Sequence, residues 1–585
     1  MSFNRKDTSM NKLPKICHKD EYVDFKHFIK DISSKYASNE AFILKSKINK
    51  ETAYTSVSYA EFGSQIKAVA TALLNRGYEN KPISVIGNNS YTWLVSYYAT
   101  LSGVGTAVPL DKGLPFEEIN TSLIRSEAEV LFFDKVHSDS IMKLKDNNNT
   151  NIKLFIALDK IPGFTSIYDL ISEGNQLIDN GNNEYEEKSI DPNETTILLF
   201  TSGTTSMSKI VMLSQNNILE NLQALQCSEY IYESDRNLAF LPFHHTFGST
   251  GTLLMLATGM STAFCDGLKY LSKNLVEYKI TIFFCVPLLI ESIYKKVIAQ
   301  AKKDGKDKLL FRMLKLSNFL LKFGIDIRKK VFASVHNQLG GHLRLLISGA
   351  SAIDKVALET FLGLGITTIQ GYGLTETSPV LTCENNDNIR IGSVGKAMFN
   401  VDLKINNPDS QGIGEVYAKG PNIMSGYYEN PEETNKVFDN GWFNTGDLGY
   451  IDKDGYLFLS GRSKNVVVLK NGKNVYPEEI EILISNLPYV AENMVFGIPK
   501  ANDENDLILG VKIVYNKDYI KTHYPSMSKD QLTQMINDDI DQINNSMPVY
   551  KHLHRIIITD EEMIKTSTAK VKRHEEMKNI REYFK

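Results

Sequence analysis

The chain has little cysteine and places it without pattern. Five cysteines in 585 residues (Cys17, Cys227, Cys265, Cys285 and Cys383) are odd in number, widely scattered and form no C-x-x-C pair. That argues against a secreted disulfide framework and against a structural zinc site. Charge of one sign is also lacking: 65 Lys and Arg stand against 69 Asp and Glu, a net of −4, so no global basic field marks a nucleic-acid binder. The opening residues, MSFNRKDTSMNKLPK, contain no apolar core of a signal peptide, and a cytoplasmic location is expected. Long hydrophobic runs are missing as well. Two uncharged stretches, 82–110 and 237–265, are broken by Asn, Ser, Thr, Gly, His and Pro, and read as buried helices and strands rather than membrane spans.

What is present is ordinary for a globular chain: 42% hydrophobic and 23% charged residues, enough length for about four domain-sized units. From about Phe25 to Glu384, helical periods alternate with short apolar strands such as ISVIG, VLFF and TILLF, which implies parallel sheets covered on both faces. The acid- and Asn-rich tract Ser172 to Glu194 is expected as a loose surface segment. Beyond Arg390 the period shortens to two, with turns at Asp454-Gly455 and Asn406-Asn407-Pro408. The expected fold is α/β: a large N-terminal domain (1–461) of βα-layered sheets carrying a small antiparallel β-barrel over about 390–461, then a small C-terminal α/β domain (462–585).

Four polar clusters carry the chemistry. Thr201-Ser202-Gly203-Thr204-Thr205-Ser206-Met207-Ser208-Lys209 is expected between a buried strand and a helix capped by Ser214, where backbone N–H groups, hydroxyls and a lysine can hold an anion. It is not a Walker A loop, and a plain Ser/Thr linker reads equally well from the residues alone. Gln370-Gly371-Tyr372-Gly373-Leu374-Thr375-Glu376-Thr377 offers glycines for close backbone approach, an aromatic face and a carboxylate for magnesium, or else a tight turn with a helix cap. Asn444-Thr445-Gly446-Asp447 with Gly461-Arg462-Ser463-Lys464 could bind hydroxyls and phosphate, or pair on the surface. Lys565-Thr566-Ser567-Thr568-Ala569-Lys570 by itself reads as a solvated basic loop.

In order and spacing these clusters resemble the adenylate-forming superfamily, over about Phe25 to Arg573. The matching runs are TSGTT with its following lysine, GYGLTET, GEVYAKGPNIMSGYY, NTGDLGYIDKDGYL, G-R-S-K and the late lysine. LPFHH, GGHLRLLISGASAID and NGKNVYPEEIE look most like bacterial long-chain fatty acid–CoA ligases. The resemblance implies ATP, Mg2+ and CoA as partners of a carboxylic acid, probed through residue roles as follows. Thr201, Ser202, Gly203, Thr204, Thr205 and Lys209 would handle the β- and γ-phosphates; Gly349, Ala350, Gln370, Gly371 and Tyr372 the adenine. Thr375 would contact the α-phosphate, Glu376 the metal, and Asp447 with Arg462 the ribose. His245 matches an acyl-pocket gate, Gly472 a loop near the CoA channel, Lys464 a hinge that makes the C-terminal domain mobile, and Lys570 the catalytic lysine it carries.

The sequence departs from the family pattern at Ser206, Ser208 and Ile210, where Gly, Pro and Gly are usual, and at Ala569. The implied activity is ATP-dependent conversion of a long-chain fatty acid to acyl-AMP, then to acyl-CoA. An acyl carrier protein as acceptor, an aryl or branched acid, and a binding protein that has lost catalysis remain open alternatives. Separately, Lys295 to Lys330 holds 12 Lys and Arg against 3 Asp, with Lys308, Arg312, Lys315, Asn318 and Lys322 at helical spacing. Peripheral membrane contact through 295–330 is expected, against the alternative of a solvated helix face.

Overall fold

The structure, a computed structural model, describes residues 12–16, 21–48, 51–201, 208–351, 353–470, 473–500, 503–565 and 571–583. Two large sheets organise the N-terminal part. One has nine strands, running from Lys396–Ala397 through Val380–Cys383, Thr367–Gly373, Leu345–Ser348, Ile282–Cys285, Arg236–Ala239, Ser261–Phe264 and Glu40–Ile48 to Glu51–Ser58. Its interior ladders are parallel and its edges antiparallel. The second has eight strands, with Gly426–Tyr427, Lys209–Ser214 and Thr195–Thr201 antiparallel to one another at one side. Gly105–Leu110, Lys81–Ile86, Val130–Phe133, Leu154–Ala157 and Thr165–Ser166 follow in parallel.

The expected elements form for the expected reasons. Helix Tyr59–Asn75 starts where the Ser58 hydroxyl accepts a hydrogen bond from the Glu61 N–H, and it buries Phe62, Ile66, Val69 and Leu73 at helical spacing. Each such side chain contributes about 1.5–3 kcal/mol by leaving water. Residues 172–179 are not loose: helix Ile167–Asp179 begins on a Ser166–Asp169 capping box, and Gly174 lets it lie directly on helix Tyr59–Asn75. A Cβ at Gly174 would fall 1.9 Å from the Ala68 carbonyl oxygen, so only glycine permits this approach.

The antiparallel unit beyond Arg390 is present as a five-stranded sheet. Asp402–Asn406, Gly414–Lys419, Trp442–Ile451 and Phe438–Asp439 pair in that order, and Leu457–Arg462 also pairs with Trp442–Ile451. No ladder among the described residues joins its outer strands into a closed barrel. The chain ends in an α/β unit with its own core. Strands Val490–Lys500, Asp503–Tyr515 and Leu553–Thr559 form one sheet, packed on helices Pro477–Ser485 and Lys529–Asn545 through Ile480, Ile484, Val511, Ile536 and Ile540. Among the described residues no helix is long and apolar enough to cross a membrane.

Candidate functional site

The Gln370–Thr377 cluster lies where strand Thr367–Gly373, parallel to Leu345–Ser348, ends, the usual place for a ligand site in an open α/β sheet. One element differs from expectation. The hydroxyl-rich loop lies between two antiparallel strands, Thr195–Thr201 and Lys209–Ser214, with Thr201 paired to Lys209; the Ser214-capped helix Gln215–Gln226 starts only after the second strand. KIVMLS is a short apolar run with β-branched Ile210 and Val211, so it extends the sheet before the helix can begin. The strand Lys209–Ser214 thus separates the loop from the N-terminus of helix Gln215–Gln226. Ile210, where the family has glycine, sits in this strand opposite Phe200 and is buried, so the sheet has no need of glycine there. Ser208 is held by Arg125, whose Nη1 donates to the Ser208 carbonyl at 2.8 Å. Ser202, Gly203, Thr204, Thr205, Ser206, Gly472, Ala569 and Lys570 lie outside the described residues.

The side chains that are described converge in two linked groups. In the first, the Tyr372 hydroxyl donates to Asp447 Oδ2 at 2.7 Å, and Arg462 Nε meets Asp447 Oδ1 at 2.8 Å. Asp447 and Arg462 are cross-strand partners in the antiparallel sheet, which fixes their spacing. Burial, and after it the Asp447 carboxylate, push the Tyr372 phenol far above its ordinary pKa, so it stays a donor. Asp447 is nearly buried, whereas the Arg462 side chain is 46% exposed and free to meet a second anion.

In the second group, strand Gly426–Tyr427 pairs with Lys209–Ser214 and brings Tyr427 beside Lys209. The Tyr427 hydroxyl donates to Glu376 Oε1 at 2.9 Å, and Lys209 Nζ lies 4.5 Å from the Tyr427 ring centre. Lys209 Nζ also meets Glu433 Oε2 at 2.6 Å; this bond, aided by Lys436, holds Glu433 down at about 2. Burial, then the Glu376 charge, raises the Tyr427 phenol, while the Arg462 charge opposes that rise. The two groups thus feel each other. They are also joined covalently, because Tyr372 and Glu376 flank one turn, with Thr375 half-buried between them.

That turn is braced from behind. The Gln370 side chain points inward, accepting from the Ile353 N–H and donating to the Ser393 carbonyl, so it braces the turn rather than facing a ligand. The Gln370 N–H donates to the buried Glu384, which also takes the Arg390 N–H. Burial raises Glu384 to about 7 despite these bonds. Gly373 is required by packing, since a Cβ there would sit 1.8 Å from the Pro379 carbonyl oxygen; Gly371 is not, its nearest neighbour being 3.6 Å away. Next to the turn, strand Leu345–Ser348 leads into Gly349 and Ala350, the latter at φ +74°, a region costing an alanine about 1 kcal/mol or more. A Cβ at Gly349 would press the Phe247 ring at 3.0 Å, and Phe247 in turn contacts Phe284.

His245 precedes Phe247 as the N-cap residue of helix Thr246–Ala257, with its ring centre 4.3 Å from that of His244. Asp111, His244 and His245 hold their ligand atoms within 4.8 Å of one another. Two imidazoles suit magnesium poorly, whereas the all-oxygen Glu376 suits it well. Lys464 lies exposed in the short turn after strand Leu457–Arg462, where the two parts of the chain join. Tyr427, Glu433, Glu384 and Phe247 escaped the sequence reading. Tyr427 sits inside the matched run GEVYAKGPNIMSGYY and was legible there; Glu433 and Glu384 gave no signal without tertiary structure.

The chain resembles known proteins over nearly its full length. A family profile described as AMP-binding enzyme matches residues 32–428, and the AMP-binding enzyme C-terminal domain matches 464–583. A long-chain-fatty-acid–CoA ligase of Mycobacterium bovis is 26% identical over 464 residues, covering 76% of each chain. A chloroplastic long-chain-fatty-acid–acyl-carrier-protein ligase of Arabidopsis thaliana is 24% identical, covering 83% of this chain and 76% of its own. Among solved structures, ATP-bound MatB from Rhodopseudomonas palustris superposes with a TM-score of 0.73 at 23% identity, covering 96% of this chain and all of that one. Fold, motif order and sequence agree: the chain belongs to the AMP-binding enzyme family of adenylate-forming ligases.

Proposed function

We propose that this chain activates a long-chain fatty acid with ATP and magnesium as acyl-AMP, and transfers the acyl group to CoA. The observation that carries the reading is the convergence of Tyr372–Asp447–Arg462 with Glu376–Tyr427–Lys209 around one turn. In this reading Asp447, held by Tyr372 and Arg462, accepts the ribose hydroxyls, and Gly371 lets adenine lie against the Tyr372 backbone. Glu376 is the residue that would hold magnesium, since its second oxygen has no hydrogen bond among the described residues. Magnesium there supplies charge neutralisation on the phosphates.

A carboxylate oxygen of the acid attacks the α-phosphorus, and the bond to the bridging oxygen of the β-phosphate breaks. Pyrophosphate leaves with both bonding electrons. Lys209 stabilises it, exchanging Glu433 for phosphate oxygens; Glu433 remains anionic and keeps Lys436. Thr375 positions the α-phosphate, and Lys570 neutralises the charge that builds there. The thiol of CoA, giving its proton to solvent, then attacks the carbonyl carbon and expels AMP. The protein's share is positioning and electrostatics rather than covalent chemistry. The fatty-acid relatives support the substrate class, and His245 with Phe247 and Phe284 supplies an aromatic entry beside Gly349. Pyrophosphate release across short, long, branched and aromatic acids tests this directly. Release with palmitate alone supports it; no release with any acid favours a binding protein.

A further inference from the structure

The segment between the Ile282–Cys285 and Leu345–Ser348 strands carries a surface that the proposed reaction does not use. Two helices, Pro287–Lys303 and Asp307–Leu321, are broken at Gly305, whose φ is +67°. The second helix turns Leu310, Met313, Leu314 and Ser317 inward, where Leu314 packs against Gly363. Its opposite face is not polar. Leu309, Leu316, Phe319 and Phe323 line up at spacings of seven, three and four, and all are exposed, Phe319 to 56% and Phe323 to 68%. The Phe319 and Phe323 rings pack edge to face with centres 5.2 Å apart, so the aromatic end of the stripe is a preformed ridge. Beside it runs a second exposed row, Lys308, Lys315 and Lys322, spaced by seven, and Arg312 lies within the stripe. Between 302 and 330 the one ion pair among the described residues joins Arg328 to Asp326.

A solvated helix face does not explain four large apolar side chains in a row, and a core face would bury them. A second copy of the chain is an unfit partner, because 295–330 carries +9 and would meet +9. An apolar stripe flanked by unpaired lysines fits a surface that is apolar inside and anionic at its edge. We infer that helix Asp307–Leu321 and the turn after it dock the protein on anionic phospholipid. Leu309, Leu316, Phe319 and Phe323 enter the acyl boundary, while Lys308, Arg312, Lys315 and Lys322 meet the headgroups. The docking face is separate from the nucleotide residues, so it stands or falls independently of the proposed reaction.

The test is co-sedimentation of the full chain with vesicles of phosphatidylcholine alone and of phosphatidylcholine with phosphatidylglycerol. The wild-type chain is expected to pellet with the anionic vesicles, to stay in solution with the neutral ones, and to be released by salt. A basic residue at such a surface is worth about fivefold in binding. Lys308→Ala, Lys315→Ala and Lys322→Ala together should therefore weaken binding about a hundredfold. Leu316→Ser with Phe319→Ser should also abolish pelleting, which a purely electrostatic contact would survive. All five side chains are exposed, and unchanged thermal unfolding and pyrophosphate release show that a variant is intact. A wild-type chain that ignores anionic vesicles overturns the inference. So does binding that neither variant alters, or a patch that captures an acidic protein yet no vesicle.

Discussion

Replacing Asp447 by Asn keeps shape and removes one charge, and it puts the nucleotide site under the sharpest strain. The carboxylate accepts from Tyr372 at 2.7 Å and from Arg462 at 2.8 Å. An amide has one oxygen, so one of these donors must face an NH2 group. Arg462 cannot accept, so the amide oxygen turns to it and the Tyr372 hydroxyl must reverse. The fold then loses a bond to a charged acceptor inside a buried group, about 1–2 kcal/mol, which melting will show as a modest fall in Tm. Nucleotide binding should suffer separately. Two ribose hydroxyls that donated to a carboxylate would meet a neutral amide, and charged hydrogen bonds are about twice as strong as neutral ones. At about 1 kcal/mol each, the dissociation constant for ATP should rise about thirtyfold. Affinity for the acid should hardly move. Fluorescence titration with ATP, alongside KM for both substrates, reads the two effects apart. An ATP affinity within twofold of wild type in a folded Asp447→Asn protein would remove Asp447 from the ribose site.

Glu376→Ala should leave the fold intact and lower pyrophosphate release by orders of magnitude, with an altered magnesium dependence; near-normal release would reduce Glu376 to a partner of Tyr427. Glu384 titrates near 7 when folded and near 4.5 when unfolded, so its contribution favours folding fully below about pH 4.5 and is lost as pH rises through 7. The span of about 2.5 units is about 3 kcal/mol. Between pH 5 and pH 8, Glu384→Gln should therefore lose less stability than wild type by up to that amount, and parallel unfolding profiles would show that burial does not raise this carboxyl. Lys570→Ala should cripple acyl-AMP formation while sparing thioester formation from supplied acyl-AMP, and Lys464→Pro should do the reverse. Equal loss of both half-reactions in folded Lys570→Ala protein contradicts alternation about Lys464.

Local order was readable wherever chemistry repeats at a fixed period. The Tyr59–Asn75 helix, the VLFF strand and the Ser214 cap follow from spacing and hydroxyl chemistry alone. The strand Lys209–Ser214 is masked in sequence by the polar loop that precedes it, although the apolar run KIVMLS carries its own β signal. Helix Ile167–Asp179 was missed for the opposite reason: its exposed polar face resembles a loop, and its Gly174 contact to Ala68 is invisible in sequence. The site was legible as motifs, not as partners. Asp447 and Arg462 could be named, yet Tyr372 as their third member, Tyr427 between Glu376 and Lys209, and Glu433 on Lys209 depend on strands brought together from distant parts of the chain.

The central claim is that the chain joins a fatty acid to CoA through an adenylate. The direct measurement is mass spectrometry of products from the full chain with ATP, magnesium, palmitate and CoA, with and without CoA present. The account predicts palmitoyl-AMP and pyrophosphate when CoA is withheld, and palmitoyl-CoA with AMP and pyrophosphate in equal amounts when it is supplied. ADP and phosphate in place of AMP and pyrophosphate, or palmitoyl-CoA formed when CoA is supplied although no palmitoyl-AMP forms when it is withheld, would contradict it.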